Sequence, residues 1–217
     1  MSPPIGPPRS CTLPRGLIAF TAAYLIASVG GSLASGNKEF VFYIVVMLVL
    51  IAAIGLVHRR VGFSHGLLWA LTVWGLMHMA GGLVPVPANW PYNPPNAVLY
   101  SLWLIPNLLK YDQVVHAFGF GVTTWMCWQA LQSAAVDRRG GPLRPTAGVL
   151  SLCAAGGMGF GAFNEVIEFI ATLTMPNTNV GGYVNTGWDL VANLVGCTMA
   201  ALWIRWREGT AEASSGA

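Results

Sequence analysis

Residues 40–57 read FVFYIVVMLVLIAAIGLV, eighteen positions with no charged side chain, and His58, Arg59 and Arg60 follow at once. A surface helix of a soluble protein alternates an apolar stripe with a polar face, whereas a helix that is apolar all round is buried in a core or in a membrane. The run is close to the ~20 residues that cross a hydrocarbon layer, and the basic triplet after it marks a water interface. Residues 40–57 therefore read as a transmembrane helix.

Five similar runs flank this one. With it they make six expected spans, at about Leu17–Ser35, Phe40–Val57, Gly66–Pro85, Asp112–Ala135, Ala147–Met175 and Trp188–Trp206. The composition agrees, with 54% hydrophobic and 9% charged residues, where a soluble domain carries about 25% charged. The expected fold is an all-α integral membrane protein, a bundle of six transmembrane helices over residues 17–207. Residues 1–16 and 208–217 read as disordered cytoplasmic ends, Pro-rich and small-polar respectively. Arg15, the first apolar run and Ser32-Leu33-Ala34 also have the form of a secretory signal. The spanning length of that run and the second span close behind it favour a retained helix.

Nine of the 11 basic residues fall on one side of this arrangement: Arg9, Arg15, Arg59, Arg60, Arg138, Arg139, Arg144, Arg205 and Arg207. Only Lys38 and Lys110 fall on the other. The positive-inside rule then places both termini in the cytoplasm. No basic run with interleaved aromatics points to nucleic acid. The 4 cysteines, Cys11, Cys127, Cys153 and Cys197, form no CxxC pair and read as small packing residues. The loop after span 3 is Pro-rich and then apolar over residues 97–105. It is too short to span and carries Trp90, Tyr92, Tyr100 and Trp103, so it reads as an interfacial segment on or dipping into the outer surface.

Ionisable side chains inside a span are expensive and therefore functional by default. Span 3 carries His78, span 4 Asp112 and His116, span 5 Glu165 and Glu168 beside Asn164, and span 6 Asp189 and Asn193. With the span directions above and a rise of ~1.5 Å per residue, all of them lie in the outer half of the bilayer. The pairs within each span are three or four residues apart, so each pair shares a helix face. The expectation is one buried polar cluster among spans 3–6, with Gly81, Gly82, Gly119, Gly121, Gly157, Gly161 and Gly196 permitting close helix approach. A weak internal echo, Asp112-x-x-x-His116-x-x-Gly119 against Asp189-x-x-x-Asn193-x-x-Gly196, suggests two similarly oriented hairpins.

These same residues carry a family resemblance. Tyr111-Asp112-x-x-x-His116-x-x-Gly119, Phe163-Asn164-Glu165-x-x-Glu168, Asp189-x-x-x-Asn193-x-x-Gly196 and His78-Met79-Ala80-Gly81-Gly82 resemble the YjdF-type bacterial inner-membrane proteins, over about residues 70–200. A looser resemblance extends to VanZ-like proteins, which are associated with glycopeptide resistance. The first resemblance implies a bacterial inner membrane and supplies no reaction; the second implies the cell envelope. One position departs: the YjdF-type pattern often has a further Asp four residues before Asp189, and here Asn185 stands there.

Three readings of the cluster follow. His78, Asp112, His116, Glu165, Glu168 and Asp189 offer two imidazoles and four carboxylates. That inventory is similar to helix bundles that hold metals, and it suits a divalent ion such as Zn, Mn or Fe. Such an ion would activate water against a lipid or envelope substrate. The alternatives are a proton- or ion-coupled transporter, and a non-catalytic structural or partner-binding membrane subunit. Crowded carboxylates cannot all stay ionised without compensation. No Lys or Arg lies within spans 3–6 near them, so the compensation is expected from protons, the two His or a metal.

Overall fold

A computed structural model describes residues 12–36, 38–95, 97–137, 140–175 and 178–215. Six long helices make the fold: α1 (Arg15–Ser35), α2 (Lys38–Val61), α3 (His65–Leu83), α4 (Tyr111–Ala134), α5 (Ala147–Thr174) and α6 (Tyr183–Ser215). Five of them, α1, α2, α3, α5 and α6, are long and apolar enough to cross a membrane. The fourth is as long as α2, at 24 residues, but more polar. Its position explains the difference. α4 packs against α3, α5 and α6, and Gln113, His116, Thr124 and Gln129 are buried in those contacts. Polar residues in a span are tolerated where other helices, and not lipid, surround them.

The lipid-facing residues lie on the outer helices. Ile26, Leu33, Val45, Leu56, Leu152, Leu173, Met199 and Leu202 are all exposed, which in water would form an aggregating surface. Hydrocarbon is their natural surrounding. Helix ends fall where local chemistry puts them. Ser64 caps α3 by accepting from the Leu67 amide, and Thr146 caps α5 by accepting from the Val149 amide. Gly36 ends α1 in the left-handed conformation at φ 65°. Gln129 of α4 clamps the start of α3, accepting from the Ser64 amide and donating to its hydroxyl, each at 2.8 Å.

Most of the expected disordered N-terminus, residues 1–16, lies outside the described residues, and α1 begins at Arg15. At the other end α6 runs through residues 208–215 as helix, where a loose tail was expected.

The α3–α4 connection, expected as an interfacial segment, is a folded cap. It holds a 3-10 turn (Leu99–Ser101) and a short antiparallel pair, β1 (Trp103–Ile105) with β2 (Leu109–Lys110). Bridges from Pro85 to Val98 and from Tyr92 to Leu102 fold the Pro-rich part back onto it. The dipping residue is Tyr100, whose hydroxyl lies 2.6 Å from His78 Nδ1 and 2.8 Å from the His78 carbonyl oxygen. Both contacts are satisfied when His78 Nδ1–H donates to the phenol oxygen and the phenol O–H donates to the carbonyl. Burial pushes the Tyr100 phenol well above its ordinary range, with the Asp112 charge adding to the effect, so it stays a neutral donor.

A second tie closes the same end of the bundle. Glu39, buried at the start of α2, accepts from the Asn179 amide with both carboxylate oxygens at 2.9 Å and from Asn179 Nδ2 at 2.8 Å. It joins the α1–α2 turn to the α5–α6 connection. Glu39→Ala leaves these donors without a partner and is expected to lower stability by about 1–3 kcal/mol. Thermal unfolding in detergent reads this, and Glu39→Gln, which keeps one acceptor, should lose less.

Candidate functional site

The α4–α6 seam sets the site. Gly121 and Gly196 let the two backbones approach: a Cβ at Gly121 would stand 3.0 Å from the Gly196 carbonyl oxygen, and one at Gly196 would overlap the Ala117 carbonyl. On α5, Gly161 leaves room for Asn193, whose Nδ2 would be 2.5 Å from a Cβ there. These absences of side chain bring Asp112, His116, Asp189, Asn193 and Glu165 together at the capped end of the bundle.

His116, buried in α4, is the hub. Its Nδ1 lies 3.1 Å from Asn193 Oδ1, its Nε2 3.7 Å from Asp112 Oδ1, and its Nδ1 3.7 Å from Glu165 Oε1. Asn193 presenting its oxygen places the ring proton on Nδ1. The Nε2 lone pair then faces a carboxylate. Asn185 organises the carboxylates on that side. Its Nδ2 donates to Asp189 Oδ2 at 2.5 Å and to Asp112 Oδ2 at 3.2 Å, while its Oδ1 accepts from Lys110 Nζ. Each Asp thus spends one oxygen on Asn185. Asp189 Oδ1 is buried without a hydrogen-bond partner, as are both Glu165 oxygens and Asn193 Nδ2. Buried polar atoms are paired in nearly all folded proteins, so such a group asks what completes it.

Two sets of three ligand atoms fall within 4.8 Å of one another, Asp112–His116–Asp189 and His116–Glu165–Glu168. His116 belongs to both. Glu168 is held by Asn164, whose Nδ2 donates to its Oε1 at 2.8 Å. Asp112, His116, Glu165, Glu168, Asp189 and Asn193 are therefore brought to one place. His78 is not in either set. It sits among the rings of Tyr43, Trp74 and Tyr100, held by the cap.

Sequence reading missed two members. Lys110, 8% exposed, stands one residue before α4 and brings a cation to the rim of a cluster expected to have none. Asn185, singled out only as a departure, is the residue that orients both aspartates. The internal echo meets itself at one point, since the corresponding residues His116 and Asn193 bond each other. It does not extend to the glycines: Gly119 makes room for the Trp74 ring and Gly196 for the Ala117 backbone.

A family of predicted membrane proteins, DUF2238, matches residues 15–209, from the start of α1 into the last part of α6. The chain belongs to this family. DUF2238 is the group of the YjdF-type proteins, so the resemblance carried by the four motifs holds over the whole helical bundle. No curated protein and no solved structure matches this DUF2238 chain.

Proposed function

We propose that this DUF2238 protein lies in a bacterial inner membrane with both termini cytoplasmic, and holds a divalent metal at Asp112, His116 and Asp189 near the outer face. The ion serves a reaction on a lipid or envelope substrate. One observation carries the metal reading. Asp112, His116 and Asp189 each bring a ligand atom within 4.8 Å of the others; His116 Nε2 faces Asp112 Oδ1 at 3.7 Å and Asp189 Oδ1 has no partner, while every other polar atom of these three side chains is held by Asn185 or Asn193. Metal-ligating His residues donate their second ring N–H to an oxygen, as His116 Nδ1 does to Asn193. Nitrogen and oxygen donors suit Zn, Mn or Fe.

The charges support one ion. Four carboxylates carry four negative charges; Lys110 offsets one, a divalent ion two, and a single proton the last. That proton belongs on the Glu165–Glu168 side, the half of the cluster away from Lys110 and Asn185. An ion held here supplies Lewis acidity and lowers the pKa of bound water. Glu165, 3.7 Å from His116 Nδ1 with both oxygens free, is placed to accept a proton, and Asn164 fixes Glu168 beside it. A relay across the membrane is less well supported. Below His116 and Asn193 the helices close on Gly157, Thr124 and Cys197, and Thr124 and Cys197 both donate to the Phe120 carbonyl of α4.

Detergent-purified protein supplemented with Zn, Mn and Fe is expected to hold close to one equivalent of metal. His116→Ala and Asp189→Asn should lose it, and His78→Ala should keep it. Metal-free wild-type protein whose melting temperature ignores a chelator would overturn the reading. The orientation is tested separately. Reporter fusions at Ala217 and Arg139 should read cytoplasmic and one at Asn179 periplasmic; a periplasmic signal at Ala217 would invert the bundle.

A further inference from the structure

One flank of the bundle opens toward the cluster. α2 and α5 meet at the capped end, where Phe40, Tyr43 and Met47 pack with Ala171 and Ile167. Further along, a groove of about 300 Å³ opens between them, with α4 as its floor. The floor runs from Phe120 to Ala130, ten residues of helix and so about 15 Å. Its rim residues Val57, Phe160 and Phe163 are 43%, 50% and 54% exposed, and in a membrane protein that exposure meets hydrocarbon. The lining is apolar apart from two residues. Thr123 spends its hydroxyl on the Gly119 carbonyl of its own helix. Asn164 stands at the end nearer the cap and donates to Glu168. The polar end of the groove is therefore the edge of the cluster.

Two other apolar clefts lack this connection. The larger, about 670 Å³ between α4 and α6, lies on the lipid side of their seam, and its polar residue Gln113 is engaged by the Lys110 amide. The cleft among α1, α2 and α3 contains Thr21 and Thr72, which bond each other. A narrow, dry, hydrocarbon-facing slot that ends at an amide suits a molecule with a long apolar chain joined to a hydrogen-bond acceptor. In a bilayer that molecule is an acyl lipid, whose ester carbonyl follows directly on its chain.

We propose that the α2–α5 groove seats one acyl chain of a membrane glycerolipid, which enters sideways from the bilayer and brings its ester end to Asn164 and Glu168. This names the substrate class for the metal site proposed above and rests on that reading for the chemistry, while the seating of the chain does not depend on the ion.

The test uses the full chain in nanodiscs of phosphatidylethanolamine and phosphatidylglycerol, with a phosphatidylethanolamine carrying a diazirine near the end of one acyl chain. After irradiation, peptide mapping is expected to find label concentrated on the groove faces of α2 and α5, above the level at lipid-facing Leu33 of α1 and Leu202 of α6. Ala53→Trp, which fills the groove from α2, should lose most of that label while keeping its metal, and Thr123→Leu, which raises the floor from α4, should weaken it. Asp189→Asn should lose metal and keep the label, which separates failure of the metal reading from failure of this one. Label spread evenly over all lipid-facing helices, or label in the groove that persists in a folded Ala53→Trp protein, would overturn the proposal.

Discussion

Replacing Gly196 with leucine is expected to keep α4 and α6 from closing, at a cost above about 4 kcal/mol, the range that only exceptional substitutions reach. The reason is geometric. A Cβ at Gly196 would overlap the carbonyl carbon and oxygen of Ala117, which are backbone atoms of the central helix and cannot swing away as a side chain would. The only relief is to separate the helices, and Gly121 lies in the same contact, 3.0 Å from the Gly196 oxygen as measured from its own ideal Cβ. Separation would also pull Asp189 and Asn193 away from His116. The comparison is Gly30→Leu in α1, where nothing lies within 4 Å of the added Cβ. That variant should unfold at the wild-type temperature in detergent, while Gly196→Leu should aggregate or unfold far below it. Equal melting temperatures for the two would mean that the seam is not as close as described.

Removing the amide at Asn185 is expected to weaken metal affinity by about 10–100-fold, the usual effect of losing a partner that orients metal ligands. Asn185 touches no proposed ligand atom. It acts by holding Asp112 Oδ2 and Asp189 Oδ2 with one Nδ2, which leaves Asp112 Oδ1 facing His116 Nε2 and Asp189 Oδ1 unpartnered, and by anchoring Lys110 through its own oxygen. Asn185→Leu loses both functions. Asn185→Asp, the residue that YjdF-type sequences often carry there, keeps the acceptor for Lys110 but loses the donor that holds the two aspartates, so it should also bind metal more weakly than wild type, and less weakly than Asn185→Leu. A titration that found Asn185→Leu unchanged would remove Asn185 from the site. One that found Asn185→Asp as weak as Asn185→Leu would show that the amide donor alone matters.

How much of this was legible without coordinates differs by level. The spans were readable because a residue in hydrocarbon has few alternatives: eighteen uncharged positions before an Arg pair leave one interpretation. The placing of these residues near one end of the bundle followed from helix rise and spacing, and six of the seven polar residues singled out do meet. What failed depends on side-chain direction across loops. His78 has the right depth, but Tyr100 descends from a folded cap to hold it, and nothing in an irregular Pro-rich segment announces which aromatic points inward. Lys110 was counted as a loop charge because it precedes the helix by one residue, although the cap turns it into the cluster. Asn185 lies three residues before Trp188, taken as the span start, in the stretch that α6 claims by beginning at Tyr183. The signal for it was present, since it sits four residues before Asp189 and so on the same helix face.

The central claim is that a metal sits on His116 and on no other imidazole. X-ray absorption at the metal edge, measured on the loaded protein, tests it most directly. Nitrogen and oxygen neighbours are expected at about 2.0–2.2 Å, with the outer-shell scattering of a single imidazole that disappears in His116→Ala and survives in His78→Ala. A metal shell without imidazole, one with sulfur neighbours, or an imidazole signal that outlasts His116→Ala would contradict it.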